Sequence, residues 1–196
     1  MITNYFPTFI GSLFTFTKIH TMKKAILLLL LAIAFGCDKD DNTTTQALPP
    51  ATQSGKGTFA CYVDGRPFID KSGGWFNCFY QVVDGEYYFS IQGRNENNSI
   101  RTVIIATTDK TISQGEVLPL VANQNGNAWG GGRFNLPNNT AEGSYTNSQY
   151  SGELTITKLD YTSHIVSGTF WFDVKHPITG ETVEIREGRF DTLFTQ

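Results

Sequence analysis

Two Asp-Gly dipeptides, Asp64-Gly65 and Asp84-Gly85, each stand between runs in which apolar and polar residues alternate. No other feature limits the fold of this chain so strongly. A two-residue turn with positive φ at both positions joins neighbouring antiparallel strands, and a period of two gives each strand one face for a core. Strands are predicted over 58–63, 66–69, 75–83, 86–94 and 100–107, the last carrying the continuous apolar run Val103-Ile104-Ile105 of a central strand. Residues 115–121 read as a short edge strand, because Pro119 has no N–H to give a central ladder. Residues 123–132 (Asn-Gln-Asn-Gly-Asn-Ala-Trp-Gly-Gly-Gly) read as a long mobile loop, followed by weaker strands over 133–136 and 143–146. The last third alternates most clearly, over 152–159, 165–174, 182–186 and 188–194. No stretch has the 3.6-residue period of a substantial amphipathic helix. The expectation is an all-β domain over 57–196, an antiparallel β-sandwich or flattened β-barrel.

The N-terminal quarter follows other rules. Met22-Lys23-Lys24 precedes eleven apolar residues, 25–35, then Gly36 and Cys37. That run is too short to span a bilayer, which takes about 20 apolar residues, but it fits the apolar region of a secretory signal with a basic head. A small residue placed directly before a cysteine makes 22–36 resemble a bacterial lipoprotein signal peptide. The resemblance implies cleavage before Cys37, acyl chains on that cysteine and anchoring in a membrane. Leucine or valine is more usual where Ala34 stands, and Phe35 is bulkier than typical. Residues 1–21 read as an upstream extension before the true start at Met22. The rival is a longer leader or an uncleaved anchor from Tyr5 to Gly36, against which Lys18, His20, Lys23 and Lys24 interrupt the apolar stretch. The cluster Asp38, Lys39, Asp40 and Asp41 resembles the export signal of Bacteroidota surface lipoproteins, which implies the outer membrane and its cell-surface side, with the periplasmic face as the alternative. Residues 37–56 hold little to bury and read as a flexible tether, with a coil dimension of roughly 24 Å.

Removing 1–36 takes away Lys18, Lys23 and Lys24 and no acid. The remaining chain therefore carries 12 basic and 18 acidic side chains, a net charge of −6. No basic run remains, which argues against nucleic acid and against a polybasic membrane patch. Cys61 and Cys78 both fall in the apolar register of their strands. Either they pair as a disulfide, which an exported location permits, or they are two small buried thiols.

The segments Ser151-Gly152-Glu153-Leu154-Thr155-Ile156-Thr157-Lys158-Leu159-Asp160, Val166-Ser167-Gly168-Thr169-Phe170 and Glu187-Gly188-Arg189-Phe190-Asp191, with 59–68 at the start of the domain, resemble a family of Bacteroidota lipoproteins whose shared domain has no assigned function. The resemblance covers most of 57–195. It implies an all-β fold and an envelope address, and it brings no catalytic residues.

The residues themselves point away from catalysis. His164 and His176 lie in predicted turns, no zinc-like spacing is present, and the serine-hydrolase elbow, P-loop and dinucleotide fingerprint are missing from the sequence. No cofactor, metal or catalytic residue is therefore assigned. Glu153, Asp173 and Glu184 fall on solvent-facing strand positions, where a carboxylate pair for glycan hydrolysis is the weaker expectation. Binding is the stronger one. Trp75 opens a strand after Gly73-Gly74, Trp129 lies in the glycine-rich stretch near Arg133, and Trp171 shares its strand's polar register with Thr169 and Asp173. Aromatic faces beside amides and guanidinium groups suit sugar stacking or a protein contact. The sequence thus predicts a non-catalytic binding or accessory module that engages an envelope protein or a glycan. Asp191-Thr192-Leu193 also resembles an O-glycosylation acceptor of secreted Bacteroidota proteins.

Overall fold

The computed structural model describes residues 47–73, 77–137 and 140–196, all within one compact unit. Trp75, Cys37 and the cluster Asp38, Lys39, Asp40 and Asp41 lie outside the described residues. Eleven strands follow one another: β1 (Thr58–Val63), β2 (Arg66–Ile69), β3 (Asn77–Val83), β4 (Glu86–Arg94), β5 (Ile100–Thr108), β6 (Val117–Leu120), β7 (Asn127–Asn135), β8 (Ala141–Tyr145), β9 (Gly152–Asp160), β10 (Ile165–Lys175) and β11 (Thr182–Leu193). All belong to one sheet, ordered β2-β1-β11-β10-β9-β6-β7-β5-β4-β3, with β8 paired to β7. The expected all-β domain is present as a single sheet curled into a half-barrel. Both Asp-Gly turns form as predicted, with φ of 49° and 73° at Asp64 and Gly65 and of 54° and 88° at Asp84 and Gly85.

The curl brings opposite parts of the sheet into contact. A Cβ added at Gly93 on β4 would lie 2.3 Å from the Phe59 ring of β1, and one at Gly130 on β7 would lie 2.9 Å from the Phe172 ring of β10. Phenylalanine rings fill the space these glycines leave. Phe59, Phe68, Phe89, Phe134, Phe172 and Phe190 are all fully buried, each contributing about 2–3 kcal/mol of apolar burial. The tail after β11 bends back onto β3. Tyr80 N–H donates to Thr195 C=O (2.8 Å) and Thr195 N–H donates to Cys78 C=O (3.0 Å).

Three sequence expectations are corrected and one open alternative is decided. Residues 127–135 are a strand, not part of a mobile loop. Gly130 faces the core ring of Phe172 and Gly132 the buried Ile100 side chain, and a run without side chains of its own shows no alternation to read. Pro119 does not mark an edge, since β6 lies between β9 and β7. The backbone alternation that aims Val121 N–H at Ala128 C=O also aims the proline nitrogen toward β7. There β6 makes a single parallel pair, Leu120 with Ala128, so no ladder hydrogen bond is lost. Residues 182–193 form one strand with a bulge rather than two strands. Cys61 and Cys78 are free buried thiols, not a disulfide. They sit on β1 and β3, far apart in the strand order, Cys61 opposite Phe68 and Cys78 opposite Ile91.

Burial pushes both thiols well above the ordinary cysteine range, which removes the reactive thiolate. Neither is expected to react with a thiol-specific alkylating reagent in the native protein, and both should react in denaturant. Mass spectrometry checks this, and native modification of either cysteine would contradict the packing.

Candidate ligand-binding face

The bulge in β11 organises the outer face of the sheet. Phe170 pairs with Gly188 and Phe172 with Ile185, so Arg186 and Glu187 together oppose Trp171. The β1 ladder skips at the same place, where Ala60 pairs with Arg189 and Tyr62 with Arg186. Glu187 takes a left-handed conformation (φ 50°), the re-aiming geometry of a bulge. Gly188 then leaves room for the Phe170 ring, which a Cβ there would meet at 2.3 Å.

The result is a fixed aromatic–cation pair on an open surface. Trp171 is 42% exposed, and the Arg186 guanidinium lies 5.5 Å from its ring centroid. That guanidinium is held from several sides. It donates to the carbonyls of Phe172 (3.1 Å) and Ile185 (3.0 Å) and to Glu184 (3.2 Å), and it pairs with Asp173 at 2.6 Å. Glu153 stands beside Trp171 in register on β9, and Thr169 pairs with both Thr155 and Arg189. These residues border a shallow depression of about 350 Å³ that reaches Ala51.

Ala51 belongs to a strap. Residues 47–56 contain no strand, yet they are held against β9, β10 and β11, which corrects the tether expectation for this part of 37–56. The anchor is Asp191, fully buried on β11. Its carboxylate accepts from Thr52 Oγ1 (2.5 Å), Ser54 N–H (3.0 Å), Gly55 N–H (2.7 Å), Lys56 N–H (3.2 Å) and Ser167 Oγ (2.8 Å). Burial alone would raise the pKa of this group, but the donated hydrogen bonds outweigh it and hold the carboxyl at about 2. Lys158 Nζ donates to Gln53 C=O (3.2 Å), and Arg189 reaches Pro49 C=O (3.5 Å). Sequence reasoning missed the strap because its partners are backbone amides, which leave no mark on composition. The acceptor pattern at Asp191-Thr192-Leu193 is corrected with it. Thr192 is 4% exposed within a paired strand, where no transferase can reach its hydroxyl.

The remaining candidates are placed as follows. Trp129 is on β7, partly buried, three strands from Trp171 in the sheet order. Arg133 lies further along β7 and is exposed, so Arg133 and Trp171 do not share one pocket. His176 Nδ1 accepts from the N–H groups of Ile178 and Thr179, both at 3.2 Å, which fixes a turn. His164 packs on Phe194. Among the described residues no three His, Cys, Asp or Glu side chains converge on a metal-sized site. Arg186, Arg189 and Asp191 were not predicted from sequence as site residues. The Glu187-Gly188 pair inside an alternating run was the available signal for the bulge that places them.

Comparisons with protein-family models, with curated proteins and with solved structures return no match.

Proposed function

We propose that this chain is a non-catalytic accessory module of a Gram-negative cell envelope, anchored by acyl chains on Cys37, that docks a protein partner through the outer face of β9–β11. The observation that carries this reading is the exposed Trp171 ring braced by Arg186 on a rigid sheet. Tryptophan and arginine dominate the energetics of protein interfaces, and they do so where the ring is pre-positioned and ringed by polar groups. Glu153, Glu187, Arg189 and the threonines supply that ring here. The basic head, apolar run and Gly36-Cys37 junction support the anchor, and the acidic residues from Asp38 to Asp41 support the cell-surface side of the outer membrane.

A photo-crosslinking amino acid at position 171, in native cells, tests the docking face. A discrete adduct in the membrane fraction is expected, and it should not form when the crosslinker replaces Ile178, which is exposed in the β10–β11 turn. Trp171→Ala should weaken capture of that partner by about 30-fold, as for a central interface residue. The same adducts from both positions, or capture indifferent to Trp171→Ala, would sink the docking face.

A further inference from the structure

We propose that the outer face of β7 and β8 carries a separate saccharide-binding site, with Tyr145 as its floor and Trp129 as its wall. Tyr145 pairs in register with Gly131, and Gly143 pairs with Arg133. A Cβ at Gly131 would meet Tyr145 Cδ1 at 2.6 Å, and one at Gly143 would meet its hydroxyl oxygen at 2.8 Å. The ring therefore lies down along the strands across two positions without side chains, and Tyr145 is 44% exposed.

Packing over glycine stabilises a sheet by itself, and that accounts for where the Tyr145 ring lies. It does not account for Trp129. The indole stands at 77° to the Tyr145 ring with centroids 5.5 Å apart. Its Nε1–H donates to Thr108 Oγ1 (3.0 Å), whose hydroxyl donates to Asn123 Oδ1 (2.9 Å). Thr108 of β5, itself held by Asn123 of the loop before β7, thus fixes an upright indole beside a flat phenol ring. The corner fits one sugar ring, whose C–H face stacks on a flat aromatic while its edge meets a second. The polar groups match that occupant. Amide and hydroxyl groups of Asn123 and Thr108 lie at the indole end, and Arg133 stands beside Gly143 at the phenol end as a fork of donors for ring hydroxyls or a sugar carboxylate. A protein side chain would not require a floor and wall set at right angles.

This site is independent of the Trp171 face, and its test separates the two. The protein from residue 37 onward is run in native gels cast with hydroxyethylcellulose, xyloglucan, galactomannan or polygalacturonate. The wild type should be retarded by at least one polysaccharide, with the uronate gel reporting whether Arg133 meets a carboxylate. Tyr145→Ala should weaken that retardation about tenfold, the loss of one aromatic contact. Tyr145→Phe keeps the floor and should bind like wild type, which guards against loss of β8 as the cause. Trp171→Ala should leave retardation unchanged. No retardation of the wild type in any gel, or retardation that survives Tyr145→Ala, overturns the proposal.

Discussion

Asp191→Ala should lower the stability of the domain by roughly 3 kcal/mol at neutral pH and release the strap from β9–β11. Hydrogen bonds to a charged group contribute about 1.5–3 kcal/mol each, and this carboxylate accepts five. They are coupled through one short segment, so their loss is far less than additive. Once the segment detaches, water satisfies its amides, which limits the cost further. Hydrogen exchange reads the release directly. The amides of Ser54, Gly55 and Lys56 should exchange many-fold faster in the variant while β5 stays protected. Asp191→Asn should be nearly as damaging, because three of the five partners are backbone N–H donors and an amide presents an NH₂ to them.

The same carboxylate gives the pH dependence its sign. Its folded pKa of about 2 lies below the ordinary 3.8. Its contribution, roughly 2 kcal/mol, is therefore complete above about pH 4 and is lost as pH falls through about 2. The stability difference between wild type and Asp191→Ala should shrink across that window in chemical denaturation. A constant difference from pH 7 to pH 2 would show that the carboxylate's charge is not what holds the strap. Ala51 borders the Trp171 depression, so releasing the strap should also open one wall of the proposed docking face.

Gly152→Ala has a comparably large expected effect for a different reason. Gly152 pairs with Phe172 on β10 and with Leu120 on β6, so neighbours press on it from both sides. An added Cβ would lie 2.1 Å from the Trp171 carbonyl oxygen and 2.3 Å from Phe172 Cβ. The obstruction is backbone, and no rotamer change relieves it. Overpacking a core costs about 1–3 kcal/mol and occasionally more, and this position belongs at the upper end because two ladders must move together. For a domain of this size the melting temperature should fall by about 10 °C. Gly57→Ala is the comparison, since a Cβ there meets nothing within 4 Å. Its left-handed φ of 69° confines the cost to about 1 kcal/mol of local strain. Equal melting temperatures for Gly152→Ala and wild type would mean the β9–β10 ladder is more pliable than its geometry.

The sequence by itself determined the strands that alternate. β1, β2 and β4 begin and end where period and turn chemistry place them, because a half-buried strand must keep one apolar face and a two-residue Asp-Gly turn fixes its partner's register. Trp171 was legible as a surface residue for the same reason, standing in the polar register of β10. Strands without that code were not legible. β7 is built over glycines whose role is to leave space for the Phe172 ring on β10 and the Ile100 side chain on β5, and empty positions carry no periodicity. Only the tertiary structure decided that one sheet curls so that β1 meets β4 and β10 meets β7, that Pro119 lies inside the strand order, and that Cys61 and Cys78 stay apart. It alone placed Arg186 over Trp171 through a bulge, Tyr145 flat beside Trp129, and a buried aspartate beneath backbone amides more than 130 positions away. Local alternation fixes which side of a strand faces inward. Which strands then face each other depends on the shapes of side chains distant in sequence, and that pairing exists only once the sheet has curled.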